Sequence, residues 1–260
     1  MWGSVLTSNS DNYHLGSSLP TPARAKPARA GDPANAPGFA DVLSGTLAKD
    51  LRLEWRSKDS INSMLFFALL VVVIFSFAFE PSVEESRRMA GGLFWTAFLF
   101  STVMALNQSW ARELRNGVLD AYRVSPSPSE ALFLGKVIGN FILVLLLECL
   151  MAPLFVIFYN LSSVGPVWQL AVVFLLGTWA LVVNGTFFAA MSIRTRNREL
   201  MLPLLLLPIS IPAVASMVLA TTNVLTGESS PVLQMKFLAG YCVIFTIACF
   251  LLFDTVLNAE

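Results

Sequence analysis

From Ala131 to Tyr159 the chain reads ALFLGKVIGNFILVLLLECLMAPLFVIFY, and only Lys136 and Glu148 in this stretch carry charge. A helix of that length exceeds the roughly 20 apolar residues needed to cross a hydrocarbon core of about 30 Å, so the stretch is predicted to span a bilayer with tilt or extension into the interface. Five similar stretches surround it: Asn62–Phe79, about Ala90–Leu106, Val167–Ile193, Leu200–Thr222 and Met235–Val256. The fold class predicted is therefore all-α: a polytopic membrane protein with six transmembrane helices. The composition agrees, with 55% hydrophobic residues and 13% charged, far from ordinary globular usage.

The connecting segments differ in charge. Fourteen of the seventeen Lys and Arg lie before the first stretch, between the second and third (with Lys136 at the entry of the third), or between the fourth and fifth; the other side holds Arg87, Arg88 and Lys236. The positive-inside rule then puts both termini and both basic links in the cytoplasm of a bacterial inner membrane. Seventeen Asp and Glu cancel the seventeen cations, so the chain has no electrostatic basis for binding nucleic acid.

Residues 1–40 are rich in Ser, Pro, Ala and Gly, a composition that leaves too little apolar surface to offset ordering entropy. They are predicted to form a disordered cytoplasmic tail with no signal-peptide core. An organelle-targeting sequence is the alternative, weakened by Asp11 and Asp32. Residues 41–60 change character. Leu43, Leu47, Leu51 and Trp55 recur every four positions with Lys49, Arg52, Arg56 and Lys58 between them, which on a helix makes one apolar stripe flanked by cations. Such a helix lies in the membrane interface, or packs on the protein's own cytosolic side. Residues 61–260 form the six-helix domain.

Three places could carry function. Between the second and third spans, Leu114, Val118 and Tyr122 share a helical face, while Arg112, Glu113, Arg115, Asp120 and Arg123 form a charged rim suited to docking; an ordinary solvated loop is the alternative reading. Ser125-Pro-Ser-Pro128 breaks that helix, and Ser129-Glu130 is expected to cap the next. Glu148 lies twelve residues beyond Lys136, about 18 Å deeper on a straight helix. A carboxyl group there faces a bundle interior or cavity, serving transport or merely bonding a neighbouring helix. Pro203, Pro208 and Pro212 predict a kinked helix, with a broken or re-entrant one as the alternative. Gly135 and Gly139 allow a close helix approach, within the chain or between copies.

Other chemistry lacks its motifs. The chain has no P-loop, HExxH or GxSxG, so no catalytic residues are assigned and any ATP must be bound by a partner. Cys149, Cys242 and Cys249 lie in apolar runs without metal-ligand spacing and are expected to act as small hydrophobes. The single histidine, His14, sits in the polar tail, which argues against axial haem ligation inside the membrane.

Several segments in order resemble one family: Asp50-Leu-Arg-Leu-Glu54, Arg112-Glu-Leu-Arg-Asn-Gly-Val-Leu-Asp120, Leu134-Gly-Lys-Val137, Leu176-Gly-Thr178 and Leu202-Pro-Leu-Leu-Leu-Leu-Pro-Ile-Ser-Ile-Pro212. Together, from about Leu47 to the C-terminus, the chain is similar to the haem exporter protein B family, the membrane subunit of the cytochrome c maturation ABC transporter. The resemblance implies a six-span ABC-2-like permease, with two copies around one pathway. It also implies four kinds of partner: an ABC ATPase subunit, a haem-handling membrane subunit, a small accessory subunit and a periplasmic haem chaperone. Haem is then the possible cargo, with no cofactor held firmly by this chain. Residues 114–123 resemble the segment that meets the ATPase, and 43–58 the N-terminal interfacial helix. A permease for lipid, polysaccharide or drug, and a non-transporting assembly scaffold, are the alternatives. Trp95, Trp110, Trp168 and Trp179 are scattered rather than grouped in a haem-handling motif, and Trp110 and Trp168 are expected to anchor at the interface.

Overall fold

A computed structural model describes residues 38–78, 83–117, 128–159, 161, 165–193, 195 and 197–258. Seven helices run through them: α1 (Phe39–Ser57), α2 (Asp59–Ala78), α3 (Val83–Arg115), α4 (Ser129–Phe158), α5 (Val167–Ser192), α6 (Arg198–Thr226) and α7 (Val232–Asn258). No strand occurs among the described residues. Helices α2 to α7 are each long and apolar enough to cross a membrane. The tail expected to be disordered falls outside the described residues up to position 37, and α1 begins two residues before the expected boundary.

The spans run alternately up and down, so α1, the C-terminal ends of α3, α5 and α7, and the N-terminal ends of α2, α4 and α6 share one end of the bundle. Helices α3 and α5 are its centre: 67% and 61% of their apolar windows are buried, against 22–28% for the other four. Helix α5 packs against α3, α4, α6 and α7. Small residues make this possible. A Cβ at Gly185 would collide with the Leu106 side chain of α3, and one at Gly177 would stand 2.5 Å from the Trp95 ring, so a side chain at either position would have to displace these α3 side chains.

Lipid gives helices no hydrophobic reason to associate, so packing and interhelical hydrogen bonds hold them together. Trp95 Nε1 donates to Thr221 of α6 and Trp179 Nε1 to Thr246 of α7, each at 2.9 Å. Asn184 Nδ2 donates to the Tyr241 hydroxyl at 3.1 Å, which in turn donates to the Ile209 carbonyl at 2.9 Å, joining α5, α7 and α6. At the end away from α1, Arg88 pairs with Glu228.

Helix α6 runs on through Pro203, Pro208 and Pro212, without the break of the alternative reading. Two features depart from the expectations. Ser129 is the first residue of α4, not its cap; its hydroxyl donates instead to Asp254 of α7 at 2.8 Å. Trp110 is not an interface anchor: it is buried, with Phe253 beside it and Lys136 Nζ 5.6 Å from its ring centroid, because the end of α3 is enclosed by α4 and α7. Trp168, by contrast, is exposed. Of the cysteines, Cys242 and Cys249 are buried, while Cys149 faces outward.

Candidate functional site

The charged end of the bundle is assembled from three helices. Asp50 and Glu54 stand four residues apart and therefore on one side of α1, next to Lys49. That side is brought onto α4 by Gly135 and Gly139. A Cβ at Gly135 would lie 3.0 Å from the Thr46 Cβ and 3.2 Å from the Leu43 carbonyl oxygen, and Gly139 sits against Leu47 and Asp50. The small-residue pair thus seats α1 within the same chain.

This seating buries Lys136, whose side chain is 2% exposed. Its Nζ lies 2.9 Å from Asp50 Oδ2 and 2.5 Å from Glu113 Oε1, and it reaches the Ser109 hydroxyl at 3.5 Å. Lys49 Nζ approaches the same Glu113 oxygen at 2.6 Å and Asp50 at 3.5 Å. Among the described residues, these two ammoniums and two carboxylates form a cluster binding α1, α3 and α4. Isolated charges at this depth would be expensive, and pairing is what makes their burial tolerable.

A second clamp adjoins the first. Arg112 donates to Glu54 Oε2 at 2.7 Å and to the Ser60 hydroxyl at 3.1 Å. Glu54 Oε1 meanwhile accepts the backbone N–H groups of Ser60 at 3.0 Å and Ile61 at 3.2 Å, so a carboxylate on α1 occupies the positive N-terminal end of α2. Lys58, with φ of 56°, makes the turn between those two helices.

The residues expected to form a docking surface therefore divide. Arg112 and Glu113 are consumed by internal pairs. Leu114 and Arg115, by contrast, are exposed at the tip of α3, just before Gly117 ends the helix with φ of 64°. Val118, Asp120, Tyr122 and Arg123 lie outside the described residues. On α1, Leu47 and Leu51 are half-buried, whereas Arg52, Trp55 and Arg56 are exposed; Trp55, at 75%, projects its indole from the bundle. Sequence reasoning missed the acidic partners Asp50 and Glu54 and the role of Lys136. Their four-residue spacing on α1 was the available signal, eclipsed by the more conspicuous leucine stripe.

Beside this clamp a cleft of about 820 Å³ opens along α3, with Asn62 and Ser63 of α2 on one wall and Glu199 of α6 on the other. Asn107, Gln108, Arg112 and Arg115 give it a polar, partly cationic lining, and Val103 and Met104 an apolar upper end.

Glu148 is elsewhere, on the α5-facing side of α4, and is 1% exposed. The Thr178 hydroxyl lies 2.5 Å from its Oε1, and its Oε2 has no hydrogen-bond partner among the described residues. Asn140 makes a parallel link to Thr186 at 3.3 Å. Glu148→Gln keeps an acceptor for Thr178 and is expected to melt within a few degrees of the parent. Glu148→Ala leaves the Thr178 hydroxyl unpaired and is expected to cost about 1–3 kcal/mol in detergent unfolding. Equal stability of the two variants would show that this hydrogen bond does not hold α4 to α5.

Comparison with known proteins gives one consistent result. The family described as CcmB protein matches residues 42–256. Heme exporter protein B of Rhodobacter capsulatus is 36% identical over 66% of this chain and 78% of that protein. The protein of the same name from Paracoccus denitrificans is 30% identical over 76% of this chain and 90% of its own length. That from Pseudomonas aeruginosa is 30% identical over 68% and 78%.

Proposed function

The chain belongs to the CcmB family, and on that premise we propose that it is the membrane subunit of an ABC transporter for haem export to the periplasm in c-type cytochrome biogenesis. It performs no hydrolysis itself. A separate ATPase subunit docks at the tip of α3 and the segment that follows, and this chain converts the partner's closure into rearrangement of the membrane complex. The remaining partners are a haem-handling membrane subunit, a small accessory subunit and a periplasmic haem chaperone, with two copies of this chain in the assembly. Both termini face the cytoplasm, on the strength of the fourteen cations that lie before the first span, at the entry of the third and in the two basic links of the sequence.

The observation that carries this reading is the clamp beneath the exposed Leu114–Arg115 tip. The segment after the tip joins α3 to α4, and Glu113 and Arg112, immediately before it, tie α3 to α1 and the start of α2. A push on the segment is therefore not absorbed by one fraying helix end; it reaches α1, α3 and α4 together. Helix α3 then passes it to α5 and α6, its neighbours in the core. Ion pairs shared among several helices and largely shielded from water resist such a push better than solvated surface pairs do.

Deleting the chain is expected to abolish c-type cytochromes on a haem-stained gel, and an ATPase-inactive partner in an otherwise intact complex is expected to do the same. Normal cytochromes after deletion would mean another cargo. Normal cytochromes with the inactive ATPase would mean a scaffold.

A further inference from the structure

From the end of the bundle away from α1 to its middle, the outward side of α6 and α7 carries a feature that coupling does not use. Pro208 and Pro212 present ring carbons in place of backbone donors, and Gly240 on the facing helix leaves open space where a side chain would stand, with nothing within 4 Å of a Cβ. Between them runs an apolar groove of about 560 Å³. Phe237, Tyr241 and Phe245 follow one another along one side of α7, with ring centroids 6.4 and 4.2 Å apart, and make a continuous aromatic wall. The Tyr241 hydroxyl is engaged by Ile209 and Asn184, so the groove meets its ring rather than its polar atom. Lys236 stands at the mouth. It is exposed, is the only charged residue lining the groove, and has no hydrogen-bond or ion-pair partner among the described residues.

We propose that this groove seats one anionic phospholipid, its phosphodiester on the Lys236 ammonium and one acyl chain along Phe237, Tyr241 and Phe245. Dimensions and charge both fit. Nine residues of helix separate Lys236 from Phe245, about 14 Å, close to half of a hydrocarbon core of about 30 Å. An acyl chain gains no hydrophobic energy by leaving its lipid neighbours, so selection rests on the headgroup. A zwitterionic headgroup brings a cation that finds no carboxylate in the lining, whereas a headgroup of net negative charge is matched by the single unpaired lysine. One lysine near an anionic headgroup corresponds to about a fivefold preference.

The test is native mass spectrometry of the full-length chain released from nanodiscs of equimolar phosphatidylglycerol and phosphatidylethanolamine. The expected parent retains phosphatidylglycerol about fivefold over phosphatidylethanolamine. Lys236→Gln is expected to equalise the two, and Gly240→Leu, which has room for its side chain and leaves the charge in place, to lose the retained lipid. Lys58→Gln, an exposed cation at the other end, should leave the ratio unchanged. Either Lys236→Gln or Gly240→Leu behaving like the parent overturns the proposal. So does displacement of the lipid by excess inorganic phosphate, which would make this a simple anion site. Disulfide crosslinking of Phe237→Cys to a second copy or to a partner membrane subunit would make it a protein interface and overturn it too.

Discussion

Lys136→Met is expected to destabilise the purified chain in detergent by about 3–5 kcal/mol, the cost of leaving buried carboxylates without their shared cation. Methionine fills much of the lysine's space, so the loss is electrostatic rather than a cavity. With the Lys136 ammonium gone, Asp50 and Glu113 must share Lys49, which stands 3.5 Å from one and 2.6 Å from the other and is itself 33% exposed. Two carboxylates near one ammonium leave a net negative charge in a site where Glu113 is 6% exposed. The double variant Lys136→Met/Glu113→Gln removes one of those carboxylates and is expected to recover a substantial part of the loss. Additive losses in the double variant, or a single-variant cost below about 1 kcal/mol, would show that water already screens these charges.

The second large effect is on activity, not stability. Leu114→Asp combined with Arg115→Glu should cut c-type cytochrome production by about tenfold or more, the consequence of losing about 1.4 kcal/mol or more at a docking surface. Both side chains are exposed and lie outside the clamp, so the melting temperature should stay within a few degrees of the parent. Arg112→Glu is the informative contrast. It places a carboxylate against Glu54 at the N-terminal end of α2 and is expected to lower stability as well as cytochrome production. If both variants were equally unstable, the tip and the clamp would be one structural unit with no separable docking surface.

Six membrane helices were legible in the sequence because hydropathy over 20 residues integrates many weak signals, and the observed spans differ from the expected ones chiefly at their ends. Helix α3 shows why the ends were harder. It begins at Val83 and finishes at Arg115, continuing through charged residues at both extremities that a hydropathy window excludes. Trp110 illustrates a different difficulty. A tryptophan near a span end reads as a lipid anchor, and only the arrival of α4 and α7 in space makes it a buried partner of Lys136 and Phe253. The charged rim was legible as a cluster but not as two populations. Nothing in the local pattern distinguishes Glu113, which bonds lysines from two other helices, from Arg115, which faces outward two residues later; a helix turns about 200° between such positions, and the direction of the neighbours decides which is enclosed. The glycines behaved similarly. Gly135 and Gly139 announced a close approach, and the structure shows α1 to be what approaches.

The most direct measurement is site-specific crosslinking from Arg115→Cys in the assembled, cytochrome-producing complex, with and without nucleotide. The expected result is a covalent product with the ATPase subunit whose yield changes when ATP is bound. A position 115 that reacts with other subunits but never with an ATPase, in a complex that still hydrolyses ATP and still makes c-type cytochromes, would contradict force transmission through the tip of α3.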